Sequence, residues 1–189
     1  MLASASPRRR DLLASAGIAV RAVASGIPEE DHPGEHAEAR VRRLAEAKAR
    51  AVARAAAGAG RFFIGADTVV VRGAEALGKP RDRGDAERML RALSGGVHEV
   101  VTGVAVYDAA ADRVHVEAVR TRVTFKALRD REIAAYVEED RPFDKAGAYG
   151  IQGRAAFMVE RIDGSYTNVV GLPLCETVEA LLAMGAISP

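Results

Sequence analysis

The chain of 189 residues is 49% hydrophobic and carries 27 basic against 26 acidic residues, a net charge of +1. That length and apolar content suit one compact domain, with room for two lobes around a cleft and a core that needs no staples. A near-neutral chain has no overall field to hold a polyanion such as DNA, so no nucleic-acid partner is expected and any anion site must be local.

Ser6-Pro7 followed by Leu12, Leu13, Ala16 and Gly17 predicts a short helix with a cap, a first-turn proline and a glycine stop. Arg8 and Arg9 fall in its opening turn, where the helix dipole disfavours cations. With the hydroxyls of Ser4 and Ser6 and the backbone N–H groups they form a candidate phosphate cradle; the alternative is that both arginines are solvated. The run Val20 to Ile27 leads to an acidic cluster, Glu29-Glu30-Asp31. From Ala37 to Ala57, Val41, Leu44, Ala45 and Val52 share one face of a long amphipathic helix. Lys48 lies on that apolar face, either snorkelling to solvent or pointing an ammonium into a site.

Phe62 to Ile64 and Val69 to Val71 are β-prone runs on either side of Gly65-Ala66-Asp67-Thr68, a pattern that predicts a buried strand interrupted by a polar site. A carboxylate at Asp67 is drawn inward and needs a metal, a cation or a hydrogen-bonded partner there, unless it caps a loop and faces solvent. The Glu29-Glu30-Asp31 cluster could meet it across a cleft. Two carboxylates without a histidine or thiolate pattern favour a hard ion, Mg²⁺ or Mn²⁺. Lys79, in Leu77-Gly78-Lys79-Pro80, is a second candidate phosphate contact. The segment Gly73 to Lys79 imitates a P-loop, but Pro80 stands where Ser or Thr must follow, which excludes a P-loop kinase.

Asp82 to Leu93 predicts a helix stopped by Gly95; Val100 to Tyr107 and Val114 to Phe125 predict paired strands joined at Asp108–Asp112; Ile133, Tyr136 and Val137 mark another short helix. The glycine-rich loop Asp144 to Gly153 lacks the Gly-x-Gly start of a dinucleotide turn, so its glycines are read as permitting tight turns or close backbone approach. A strand near Ala155 to Ile162, a turn at Asp163-Gly164 and a last helix bearing Val178, Leu181 and Leu182 complete the chain. His32 and His36 have Pro33 and Gly34 between them and do not make a zinc pair. His98 and His115 are read as strand or surface residues. The single cysteine, Cys175, is read as a packed or rim thiol in a reducing compartment. No apolar run approaches the ~18 residues of a membrane span, and MLASASPRRRDLL has charge where a signal peptide needs an apolar stretch, so a cytoplasmic protein with no membrane partner is expected. Mixed strands and helices predict an α/β domain with a mixed sheet.

Taken together, LASASPRRRDLL (Leu2 to Leu13), Ile27-Pro28-Glu29-Glu30, RLAEAKA (Arg43 to Ala49), GADTVV (Gly65 to Val70), LGKPRD (Leu77 to Asp82), the Met89 to Val104 stretch, DKAGAYGIQG and GSYTNVVGLPL (Gly164 to Leu174) resemble the Maf family of nucleotide pyrophosphatases nearly end to end. The resemblance implies a mixed central sheet flanked by helices, two lobes around a deep cleft as in inosine triphosphatase-like proteins, and a homodimer. It implies a catalytic set of Asp67, Glu29, Lys48 and Lys79, with Asp67 and Glu29 on the metal. Ser4, Ser6, Arg8, Arg9, Asp82 and Lys145 are implied on the substrate's side. Arg8, Thr68 and Gln152 stand where the branch similar to dTTP/UTP pyrophosphatases carries Arg, Thr and Gln, whereas the 7-methyl-GTP branch has Trp and Gln at the first two. The implied reaction is therefore hydrolysis of dTTP and UTP to monophosphate and pyrophosphate, the alternatives being 7-methyl-GTP hydrolysis and a non-catalytic nucleotide sensor regulating septum formation. Pro28 departs from the family's turn, which has an acidic residue there.

Overall fold

Aromatic and β-branched residues flank the Gly65-Ala66-Asp67-Thr68 segment, and in the computed structural model, which describes residues 1–188, Phe62–Arg72 forms one eleven-residue strand, β2. The polar GADT segment does not interrupt it, because Phe63 through Asp67 are all buried and Asp67 finds cationic partners there. Before it come β1 (Leu2–Ala3), α1 (Pro7–Ser15) and α2 (Ala37–Ala55). After it come β3 (Glu75–Leu77), α3 (Arg83–Leu93), β4 (Val97–Asp108), β5 (Arg113–Phe125) and α4 (Asp130–Asp140), then β6 (Val159–Asp163), α5 (Tyr166–Val170) and α6 (Leu174–Ala183).

The six strands make one sheet in the order β1-β2-β4-β5-β6, with β3 paired to β2. It is mixed: β1 runs parallel to β2, with Leu2 opposite Ile64, while β3 and β6 are antiparallel to β2 and β5. Helices flank it, and the α/β architecture is the one expected. Pattern reading missed the two-residue β1, the short β3 and the single-turn α5. Such pieces are too short to show a period.

Chain contacts divide the protein into two compact units. The first comprises Met1–Asp67, Thr102–Val119 and the residues from Gly171 on; the second comprises Thr68–Val101 and Arg120–Val170. In the first, Leu2, Leu13, Ile64, Val104, Leu172 and Leu181 form one apolar cluster, and Ala45, Ala49, Val52, Phe63 and Ala105 form another beneath α2. At the end of β4, Arg61 donates to Asp108 at 2.7 and 3.0 Å and Ala110 N–H donates at 3.0 Å, which shapes the turn and holds the Asp108 carboxyl down to about 2.

The second unit has a single large core around Leu90, Leu93, Phe125, Ile133, Tyr149 and Met158. Asp82 caps α3, its carboxylate accepting from Asp85 N–H at 2.8 Å. The strand expected from Ala155 divides in two: Gly153–Met158 is a 3₁₀ segment, and β6 starts only at Val159. The reason is spacing. Ala155 and Met158 are both buried three residues apart, a period that a 3₁₀ turn satisfies and a strand does not, while Phe157 between them stays exposed. Among the described residues no helix is long and apolar enough to cross a membrane.

His98 on β4 is 2% exposed; its Nε2 lies 2.8 Å from Tyr149 Oη, and its ring meets Phe125 and Tyr149 edge-on. Burial pushes its pKa down to about 4. The folded protein therefore binds fewer protons than the unfolded chain between about pH 6.5 and 4, and stability falls as pH falls through that window, by at most about 3 kcal/mol. Denaturant titrations from pH 7 to pH 4 should show that slope in the native protein and a flatter one in His98→Phe. Equal slopes would remove His98 as the cause.

Candidate active site

Side chains two apart on a strand share a face. Gly65 and Asp67 thus face the same way along β2, and that way is toward α2. Gly65 has no Cβ because one would sit 2.0 Å from the Ala45 carbonyl oxygen; Gly103 on the neighbouring β4 is forced likewise, at 2.2 Å from the Val41 oxygen. Helix backbone rests directly on sheet backbone. That close seat brings Lys48, on the same helix, over Asp67.

Lys48 and Asp67 are 6% and 4% exposed, and Lys48 Nζ donates to Asp67 Oδ1 at 2.7 Å. The lysine does not snorkel to solvent. Its ammonium also donates to Glu29 Oε1 at 2.6 Å, so the acidic loop meets Asp67 through a shared cation. The second Asp67 oxygen, Oδ2, accepts from Arg40 Nη1 at 2.9 Å, and Arg40 Nε donates to Asp31 Oδ1 at 2.6 Å. Three carboxylates and two cations alternate in one chain, leaving one excess negative charge. A buried Asp67 alone would cost several kcal/mol; with a cation on each oxygen it is stable inside. Further along the loop, Arg43 donates to Glu35 at 2.6 and 2.7 Å and to the Glu30 carbonyl at 3.0 Å.

Sequence reasoning missed Arg40. Only its place on α2 marked it, eight residues before Lys48, and that cannot say that two helix positions about 12 Å apart reach one carboxylate.

The α1 entrance is built differently from expectation. Ser6 makes no side-chain cap; its own N–H donates to Ser4 Oγ at 3.1 Å. Arg9 is not solvated. Its Nε donates to the Gly171 carbonyl at 2.6 Å and its Nη1 to the Ala66 carbonyl at 2.9 Å and to Ser4 Oγ at 3.3 Å, tying three segments of the first unit together. Burial lowers the Arg9 pKa, while the negative charges of Asp67 and Glu29 act in the opposite direction. Arg8 is half-buried on the same turn.

The second unit carries the remaining expected residues. Thr68 follows Asp67 on β2 and is partly buried. The loop holding exposed Lys79 is joined to the loop holding Lys145 by Gly147 N–H donating to the Gly78 carbonyl at 3.0 Å. Gly147 has φ +66°, and a Cβ there would press on Val70 at 2.9 Å, so this glycine meets both needs expected of the loop. Lys145 Nζ pairs with Asp144 at 2.6 Å, and Gln152 is exposed just before the 3₁₀ segment. Asp82, expected on the substrate's side, has its carboxylate on the α3 cap. Cys175 is exposed, a rim thiol rather than a packed one.

A cation clamp around one buried carboxylate suits the handling of a phosphate chain. The comparisons with known proteins agree. The model of the family described as Maf-like protein matches residues 1–184. A protein of Geobacter metallireducens named dTTP/UTP pyrophosphatase is 63% identical over 187 residues, 99% of this chain and 96% of that protein. One of the same name from Citrifermentans bemidjiense is 60% identical over 187 residues, with 99% and 96% covered. Another, from Escherichia coli K12, is 49% identical over 189 residues, with 98% and 93% covered. Because the match covers residues 1–184, and with them every segment that supplies the ion-pair chain from Glu29 to Asp67, the chain belongs to the Maf family.

Proposed function

We propose that this protein is a nucleoside triphosphate pyrophosphatase that hydrolyses dTTP and UTP to the monophosphate and pyrophosphate. The observation that carries the chemistry is the buried Asp67 carboxylate gripped by Lys48 and Arg40. The substrate follows from the relatives, which bear the dTTP/UTP name at 49–63% identity over nearly the whole chain. Arg8, Thr68 and Gln152 agree with that branch, which disfavours 7-methyl-GTP hydrolysis, and the retained Asp67, Lys48 and Lys79 disfavour a non-catalytic regulator.

Cutting an internal phosphoanhydride needs an oriented water, a proton acceptor and neutralised phosphate charge. Asp67 is the acceptor: its carboxylate is held in one orientation and takes the proton of the attacking water. Lys48 supplies positive charge to the triphosphate, sharing its ammonium between carboxylates and phosphate oxygens. Lys79 and Lys145, on two loops tied to each other, are read as further cations for the triphosphate, and Ser4, Ser6, Arg8 and Arg9 as donors to its phosphates. Thr68 and Gln152 pair with the base, where an unmatched polar edge is strongly rejected.

The reading includes a divalent cation, Mg²⁺ or Mn²⁺, held by Asp67 and Glu29. The donor set fits one, since two hard oxygen ligands already converge on a single small cation, the Lys48 ammonium. When bound, it would neutralise phosphate charge and make water more acidic. Among the described residues there is no cluster of three or more metal-ligating side chains, so the remaining ligands would be water and triphosphate, as is usual for Mg²⁺. The reading also places the protein in the cytoplasm, where an exposed Cys175 persists as a thiol, and takes it to be a homodimer, which light scattering tests.

Pyrophosphate release across dTTP, UTP, CTP, GTP, ATP and 7-methyl-GTP, with Mg²⁺, Mn²⁺ and chelator, tests the function. dTTP and UTP should lead with metal present. Absence of turnover on both, or preference for 7-methyl-GTP, overturns it. In the same assay Lys48→Ala should lose roughly 10²-fold in kcat/KM and Lys79→Ala a smaller part. Unchanged values would return both lysines to a packing role.

A further inference from the structure

Arg40 was given no step of its own in the hydrolysis, yet it makes the second of the two contacts that fix Asp67. We infer that Arg40 is a positioning residue for the hydrolysis proposed above, orienting the Asp67 carboxylate while Asp31 orients Arg40. Resting on that reading, the inference adds a residue that lies outside the sequence motifs.

The geometry carries it. A carboxylate held by one ammonium can still turn about its Cβ–Cγ bond. Asp67 is held at both oxygens, Oδ1 by Lys48 at 2.7 Å and Oδ2 by Arg40 at 2.9 Å, from two positions on one helix. That removes the rotation. The guanidinium is itself fixed, since its Nε and Nη1 donate to different carboxylates, Asp31 at 2.6 Å and Asp67, and a planar group bonded at two edges has one orientation. Its side chain is only 16% exposed and that of Asp67 only 6%, so water screens the inner contact little.

The division of labour follows from the partners. Lys48 is shared with Glu29 and is the cation that a triphosphate would draw toward its oxygens. When it moves, Arg40 is the contact that still holds Asp67. Its removal should therefore act on the chemical step more than on binding.

The test is kinetic and thermodynamic on Arg40→Met, Arg40→Lys, Asp31→Asn, Asp67→Asn and the double variant Arg40→Met/Asp67→Asn. Arg40→Met should lower kcat on dTTP and UTP roughly 10- to 100-fold, the usual effect of losing a partner that orients a ligating carboxylate. KM should stay within about threefold, because the lost interaction serves the transition state. Arg40→Lys should recover part of kcat, Asp31→Asn should lose a smaller part, and all should keep one cooperative unfolding transition. In the Asp67→Asn background Arg40→Met should lower kcat no further. A rise in KM with kcat unchanged makes Arg40 a substrate contact and overturns the inference, as do multiplying losses in the double variant or wild-type kinetics in Arg40→Met. If the unmodified protein turns over neither nucleotide, the functional proposal fails instead. The denaturation cycle over Arg40→Met and Asp67→Asn then decides the clamp, with additive free energies overturning it and a non-additive result supporting it.

Discussion

Asp67→Asn is expected to lower turnover of dTTP and UTP by at least about 10²-fold while leaving a folded protein. The amide has nearly the same volume but one acceptor oxygen, and its NH₂ must face either the Lys48 ammonium or the Arg40 guanidinium. It cannot accept a proton from water and is a poor ligand for a divalent ion. Folding survives because neither cation is orphaned: Lys48 keeps Glu29 and Arg40 keeps Asp31. The loss should thus be about 1–3 kcal/mol, less than the 5–15 kcal/mol of a typical domain. Steady-state rates with a thermal scan on the same sample measure both. Wild-type turnover would take Asp67 out of the mechanism, and a protein that no longer unfolds cooperatively would make its role structural.

A larger effect on the fold is expected at two glycines that touch no substrate. Gly65→Ala places a methyl 2.0 Å from the Ala45 oxygen and 2.9 Å from Ala49 N, and Gly103→Ala places one 2.2 Å from the Val41 oxygen. These are backbone atoms of a helix and have no rotamer to give way, so α2 itself must lift from the sheet. The cost should reach or exceed the upper end of overpacking, about 3 kcal/mol. For a chain of this size that lowers Tm by roughly 6–12 °C. Activity should fall with it, since lifting α2 carries Lys48 and Arg40 away from Asp67. Gly96→Ala is the control: its methyl would meet nothing nearer than 3.6 Å, and its Tm should scarcely change. Equal Tm values in all three variants would show that α2 does not rest on the sheet through these glycines.

What the sequence determined by itself was periodic or chemically unusual. The α2 face, the α3 helix and the β4 and β5 strands could be read because each repeats a pattern over many residues. Asp67 and Lys48 stood out as charges in apolar company, and no local arrangement could satisfy them. Tertiary structure decided what satisfied them. The partner of Asp67 on its Oδ2 side is Arg40, 27 positions earlier in the chain, and only the seating of α2 on Gly65 and Gly103 brings them together. The GADT segment looked like a break in a strand because pattern reading sees polarity and not the cations that neutralise it. Ala155–Met158 looked like a strand because an apolar run carries no period until a core chooses which of its residues to bury. Arg9 could be read only as a cation at a helix entrance; that it also clamps the carbonyls of Ala66 and Gly171 was hidden, because those acceptors come from segments distant in sequence. Local chemistry announces that a charge needs a partner; the packing of helix on sheet selects which one.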